Sequence, residues 1–94
     1  MSRLTLKNSE SKTYVLSKEM LELSEIVYKG EAVDKLAKFE DFYENLINDQ
    51  TKLNEELDVL RNEGQNHSAH FRELFGQKMM INHILIRLKT YGLE

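Results

Sequence analysis

The fold is decided by residues 36–60, which read LAKFEDFYENLINDQTKLNEELDVL. Apolar or aromatic side chains, with one glutamine among them, recur here at alternating steps of three and four residues: Leu36, Phe39, Tyr43, Leu46, Gln50, Leu53, Leu57 and Leu60. This spacing places the series along one side of an α-helix, in the a and d positions of a heptad repeat. It predicts one long helix over residues 31–63, ending at Gly64.

The same spacing returns after a short polar connection. The second series has one lysine among its apolar members: Phe71, Leu74, Lys78, Ile81, Leu85 and Leu88. It predicts a second helix over residues 68–91, with Ser68 as its N-cap. Because the connection is short, we expect the two helices to lie antiparallel, with Leu60 opposite Phe71 and Gln50 opposite Ile81.

The N-terminal third of the chain is predicted to form short secondary-structure elements. Residues 1–16 contain two short runs of β-forming residues around a polar turn, which indicates a β-hairpin. Its expected buried side consists of Leu4, Leu6, Tyr14 and Leu16. In residues 17–29, Met20, Leu23 and Val27 recur at helical spacing, which favours a short helix that stops at Gly30. The expected fold of residues 1–94 is therefore one mainly α domain, built on a long antiparallel helical hairpin.

Composition narrows the classes of function. The chain has 94 residues, a net charge of -3, no cysteine and no proline. Without cysteine there is neither a disulfide nor a thiolate metal site. No apolar run approaches the ~20 residues that cross a bilayer, and the polar start lacks the apolar segment of a signal peptide. We therefore expect a cytoplasmic protein that binds neither membranes nor nucleic acid directly.

Charge is unevenly distributed along the chain. Residues 31–63 contain ten acidic and four basic residues, whereas residues 64–94 contain two acidic and four basic residues. Segments of opposite charge attract one another when they lie side by side, or each can face an oppositely charged partner. The two predicted helices are thus an acidic helix followed by a basic one.

The residues capable of catalysis or metal binding do not assemble into a recognisable motif. His67 and His70, near Glu63 and Glu73, are one candidate for a metal site, but solvated polar side chains around a turn are the favoured explanation. A magnesium-dependent nucleotide hydrolase of all-α type would need acids on both helices, and the second helix offers only Glu73. The sequence therefore predicts a protein without enzymatic activity, cofactor or metal.

The apolar stripe of the second helix is wider than one facing helix can cover. We expect the side chains beside the seam to join two copies of the chain, most simply as a homodimer: Phe75, Met79, Ile84 and Tyr91. A second predicted surface carries acids of the long helix and one aromatic residue, and would bind a protein partner: Glu40, Asp41, Glu44, Asp58, Glu63 and Phe42. Phe42 has two other possible places, under the N-terminal hairpin or in the dimer contact.

The N-terminal half also contains two short motifs, Met1-Ser2-Arg3-Leu4-Thr5 and Lys35-Leu36-Ala37-Lys38-Phe39-Glu40-Asp41. In these motifs the chain resembles small accessory proteins of phages and prophages in Firmicutes. The resemblance implies a mobile-element protein and carries over no functional residues. The leading hypothesis is a protein-binding module that modulates a host protein such as a defence nuclease, in the manner of an anti-CRISPR protein. The alternative is a small structural protein that acts by self-association.

Overall fold

The computed structural model describes residues 3–8 and 13–94. The chain divides into two compact units, Met1–Asp41 and Phe42–Glu94. The elements are, in chain order, β1 (Thr5–Lys7), β2 (Tyr14–Leu16), β3 (Glu22–Ser24), β4 (Val27–Lys29), α1 (Glu31–Asn62) and α2 (Ala69–Thr90). The predicted mainly α fold, with a helical hairpin after an N-terminal β-hairpin, is confirmed. Among the described residues, no helix combines the length and the apolar character needed to cross a membrane.

The β1–β2 hairpin forms as predicted, but its expected buried side does not. The register pairs Leu6 with Val15 and Lys7 with Tyr14. Because side chains alternate across a strand, Leu6 lies on the opposite side of the hairpin from Tyr14 and Leu16. Leu6 is 57% and Tyr14 is 55% exposed. Most of the expected turn, residues 9–12, lies outside the described residues.

The predicted short helix over residues 17–29 is wrong. A single 3-10 turn, Lys18–Met20, is followed by a second antiparallel hairpin of β3 and β4. Two local signals favour strands over a helix here. Residues 21–24 alternate apolar and polar, and residues 26–28 are β-branched or aromatic. No asparagine-glycine pair marks the turn, where Glu25 instead adopts a positive φ of 57°.

Gly30 begins a helix instead of ending one. Its carbonyl accepts a hydrogen bond from the Asp34 N–H at 3.0 Å, which places it at the start of α1. Its φ is +132°, and a Cβ at this position would lie 2.6 Å from the backbone oxygen of Met20. Residue 30 must therefore be a glycine, because both the backbone conformation and the close approach of Met20 exclude a side chain.

The second unit is the predicted helical hairpin. The backbone N–H of Gln65 donates to the carbonyl of Leu60 at 2.8 Å, and Gly64 has a φ of +73°. These are the features of a Schellman C-cap, which ends α1 where the sequence predicts. The Ser68 hydroxyl accepts a hydrogen bond from the Phe71 N–H at 3.1 Å, as expected of an N-cap.

The core of this unit is the predicted seam between α1 and α2. Its centre is a cluster of buried leucines with two partly buried neighbours: Leu53, Leu57, Leu60 and Leu74, with Phe71 and Ile81 packed against them. Leu57 is 0% exposed. The side-chain amide of Gln50 donates to Oδ1 of Asn82 at 2.7 Å, one residue from the partner that the heptad register predicts. The seam therefore has the predicted antiparallel register.

Candidate protein-binding surface

The α2 helix carries large apolar side chains that the helical hairpin leaves exposed. Six such side chains lie on α2 or just beyond its end: Phe75, Met79, Met80, Ile86, Tyr91 and Leu93. Their exposed fractions range from 41% for Phe75 to 73% for Tyr91. By contrast, the buried side chains among the described residues are five leucines. Exposed apolar side chains clustered on one surface are typical of a protein-binding site.

One side of the helical hairpin collects three of these side chains, Phe75, Met79 and Ile86. At 3.6 residues per turn, Phe75, Met79, Asn82 and Ile86 point within about 60° of one another on α2. On α1 the same side of the seam carries Ile47, Asn54 and Arg61, which repeat every seven residues. We call this side the Phe75 face and define it by six residues: Ile47, Asn54, Phe75, Met79, Asn82 and Ile86.

Contacts within the Phe75 face connect it to the seam. The ring of Phe75 stacks on that of Phe71, with centroids 6.2 Å apart and planes 15° apart. The Arg61 guanidinium lies 5.3 Å from the centroid of the Phe71 ring. These contacts hold Phe75 in place although 41% of it is exposed. An aromatic side chain held in this way loses little conformational freedom when it binds a partner.

Asn54 supplies a polar feature that apolar packing does not explain. Asn54 as a whole is half-buried, but its Oδ1 atom is fully buried and has no hydrogen-bond partner among the described residues. A buried acceptor without a donor costs about 1–3 kcal/mol. The Phe75 face is therefore apolar around an unsatisfied carbonyl oxygen.

The four residues predicted to join two copies do not form one surface. Phe75 and Met79 lie on the Phe75 face, whereas Ile84 and Tyr91 point about 140° to 180° away around α2. Ile84 is half-buried and Tyr91 is exposed. A single contact surface can use one pair or the other.

The predicted acidic surface is also divided. Glu44 and Asp58 lie on the side of α1 that borders the Phe75 face, whereas Phe42 and Glu63 point to other sides of the helix. Asp58 accepts a hydrogen bond from Arg61 at 3.1 Å. The Phe42 side chain is half-exposed.

The two remaining predicted acids belong to the first unit. Glu40 and Asp41 are both exposed and are adjacent on α1, so that their side chains point about 100° apart. They do not lie on one side of the helix.

The two helices of the hairpin have opposite charge. From residue 42 to its end, α1 has five acidic and two basic residues, whereas α2 has one acidic and four basic residues. Arg72 lies at the outer edge of the Phe75 face on α2, and Glu44 and Asp58 lie at its outer edge on α1. The Phe75 face thus has two acids along its α1 edge and one base along its α2 edge.

The histidines do not gather into a metal site. In the part of the chain that the structure describes, there is no group of three or more histidine and carboxylate side chains able to hold a metal ion. His67 and His70 are both exposed.

Two further surfaces lie in the first unit. An open groove of about 410 Å³ separates the β1–β2 hairpin from the start of α1, and Leu4, Leu16 and Phe39 are among its lining residues. The tip of the β3–β4 hairpin exposes Ile26, at 94%, beside the cross-strand pair Leu23 and Tyr28. Neither surface has a structural feature that identifies a partner.

The sequence analysis missed part of the Phe75 face. Ile47 and Asn54 follow the seam residues Leu46 and Leu53 by one position, and Ile86 follows Leu85 in the same way. Ile47 and Asn54 are seven residues apart, and the α2 members of the face follow steps of four, three and four residues, so the face is a second helical series beside the seam. The seam series is the more apolar of the two and dominates the sequence pattern.

Comparison of the chain with protein-family models, with characterised proteins and with solved structures finds no match.

Proposed function

We propose that this chain is a non-enzymatic protein-binding module that binds through the Phe75 face. The observation that carries the proposal is the exposure of Phe75, Met79 and Ile86 along one side of a helix whose opposite seam is well packed. Full burial of such a side chain contributes roughly 1.5–3 kcal/mol, so these half-exposed groups retain several kcal/mol for binding. A rigid helical hairpin presents them without a large ordering cost.

The biological setting that we propose is modulation of a host protein by a mobile-element accessory protein. The resemblance of the N-terminal motifs to phage and prophage proteins supports this setting, as do the exposed carboxylates Glu40, Asp41 and Glu63. Exposed carboxylates on a protein of net charge -3 favour a basic partner, such as the nucleic-acid channel of a nuclease.

Affinity capture from a host lysate tests the protein-binding function. The baits are the wild type, Met79→Glu on the Phe75 face, and Ile84→Glu as a matched control on the other side of α2. We expect a host protein that the wild type and the control capture and that Met79→Glu does not. Equal capture by all three baits would mean that the Phe75 face is not the binding surface.

The second candidate function is self-assembly, which the charge pattern of the hairpin favours. An acidic α1 and a basic α2 in one chain make two copies mutually complementary. Sedimentation equilibrium of the purified chain distinguishes the two functions. A stable homo-oligomer that captures no host protein would support assembly, whereas a monomer that captures a specific host protein would refute it.

A further inference from the structure

We propose that the Phe75 face is occupied by a second copy of this chain, in a four-helix bundle where each α2 lies between the α1 of its own copy and the α1 of the other. The inference rests on the proposed function of the Phe75 face as a protein-binding surface, and it names a second copy as the occupant, as in the self-assembly candidate. It rests on three observations: the shape of the Phe75 face, its edge charges, and the register of the hairpin.

The size of the face suits a dimer contact. The α2 helix has 22 residues, and at 1.5 Å per residue it is roughly 33 Å long. Two helices packed side by side are roughly 20 Å wide, so one side of the hairpin offers an area comparable to the ~800 Å² per partner of a standard interface. Two hairpins stacked on such a side form a four-helix bundle.

Charge decides which helices become neighbours across the dimer. If α2 lay against α2 of the second copy, two helices with four basic residues and one acidic residue each would meet. If α2 instead lies against α1 of the second copy, a basic helix meets an acidic one along its whole length. Like charges at close range are unfavourable and unlike charges are favourable, so like helices take the diagonal positions.

The hairpin register then aligns individual charges. When neighbouring helices are all antiparallel, the two-fold axis runs along the bundle, and both copies keep the same heights. The seam register places Asp58 level with residue 73 of α2 and Glu44 level with residue 87, because Gln50 is level with residues 81 and 82. Asp58 of one copy therefore lies opposite Arg72 of the other.

The same alignment brings the apolar members of the face together. Ile47 of one copy comes to the height of Asn82 and Ile86 of the other, and Asn54 to the height of Phe75 and Met79. The exposed apolar side chains of the Phe75 face on one copy thus meet the Phe75 face of the second copy. In this arrangement Ile84 and Tyr91 stay outside the contact.

The first test measures molecular mass at micromolar concentration by sedimentation equilibrium. We expect a dimer for the wild type, a monomer for Met79→Glu, and a dimer for the control Ile84→Glu. Circular dichroism verifies that each variant keeps its helices. Ile86→Glu, at a more exposed position of the same face, serves if Met79→Glu does not fold.

The outcomes separate the inference from the proposed function. A monomeric wild type overturns the inference, while host-protein capture through the same face would still support the binding function. A dimer that Ile84→Glu splits and Met79→Glu leaves intact also overturns it, since the contact would then lie on the other side of α2.

The second test addresses the arrangement of the helices. Asp58→Lys and Arg72→Glu should each weaken the dimer by roughly tenfold, because each change affects two symmetry-related contacts. The double variant should recover most of the wild-type affinity, since the opposite charges are exchanged. Weakening in the double variant that equals the sum of the two single effects would refute the pairing of α1 with α2 of the second copy.

Discussion

Replacing Gly30 with alanine should destabilise the first unit, and the structure gives the size of the effect. The alanine must keep a φ near +132°, or shift the chain where it enters α1. A residue with a side chain pays about 1–2 kcal/mol for a positive φ. Its Cβ would also lie 2.6 Å from the Met20 oxygen, which is a backbone atom and cannot move away by a change of side-chain rotamer. Overpacking of this kind adds about 1–3 kcal/mol, so the expected loss is about 2–5 kcal/mol.

Gly76 provides the matched control for this substitution. It lies within α2, its φ is not positive, and a Cβ there meets nothing within 4 Å. Alanine is the better helix former by about 0.8–1 kcal/mol, so Gly76→Ala should stabilise the chain. The same chemical change is thus expected to have opposite signs at two positions of one protein.

Hydrogen exchange measures the Gly30→Ala effect where it occurs. The Asp34 amide donates to the Gly30 carbonyl, so its protection reports the stability of the start of α1. We expect its opening free energy to fall by about 2–5 kcal/mol, or as far as the unit's own stability allows. Gly76→Ala should raise the melting temperature of the helical signal by roughly 4–8 °C. Unchanged protection in Gly30→Ala would refute the close contact with Met20. A destabilising Gly76→Ala would instead show that another backbone approaches α2 at this point.

Substitutions at Ser68, Gln50 and Asn82 test the N-cap of α2 and the polar pair in the seam of the helical hairpin. Ser68→Ala removes the acceptor of the Phe71 N–H and should cost about 1 kcal/mol in chemical denaturation, whereas Ser68→Asp, which keeps an acceptor, should cost little. Gln50→Ala and Asn82→Ala should each cost about 1–2 kcal/mol, and the double variant less than their sum, because the two side chains bond each other. Strictly additive effects would mean that this hydrogen bond does not form in solution.

The sequence predicts the helical hairpin well because its signal is redundant. Both heptad series, the Ser68 cap and the Gly64 stop give the same helix boundaries. Because the connection is short, the helices must be antiparallel neighbours, and the register between them follows. The first unit lacks such agreement. Residues 17–29 satisfy a helical spacing and a strand alternation at once, so the two patterns predict different elements for the same residues.

The candidate surface was only partly predictable, for a related reason. Sequence spacing shows that α2 is too apolar for one partner helix, which correctly marked Phe75 and Met79 as exposed. It does not show that Ile84 and Tyr91 lie on a different side of α2 from Phe75 and Met79. Only the combined flanks of α1 and α2 show that Ile47 and Asn54 belong with Phe75.

Asn54 is the one member of the Phe75 face whose polarity should lower stability. Its Oδ1 is buried without a partner in the described residues, so a side chain of similar size without an acceptor should fit better. We expect Asn54→Leu to raise the free energy of unfolding by about 1 kcal/mol, through loss of the unsatisfied oxygen and gain of apolar contact.

The same substitution should change the specificity of association. A single polar residue in an apolar interface selects one register and one oligomeric state at some cost in stability. In Asn54→Leu, therefore, we expect tighter association together with species larger than a dimer. Denaturation and sedimentation equilibrium at several protein concentrations measure the two effects separately. If Asn54→Leu proves less stable at high concentration but not at low concentration, the oxygen has a donor in the second copy. A loss of stability at all concentrations would instead mean that the donor lies within the same chain, and that the acceptor is satisfied in the monomer.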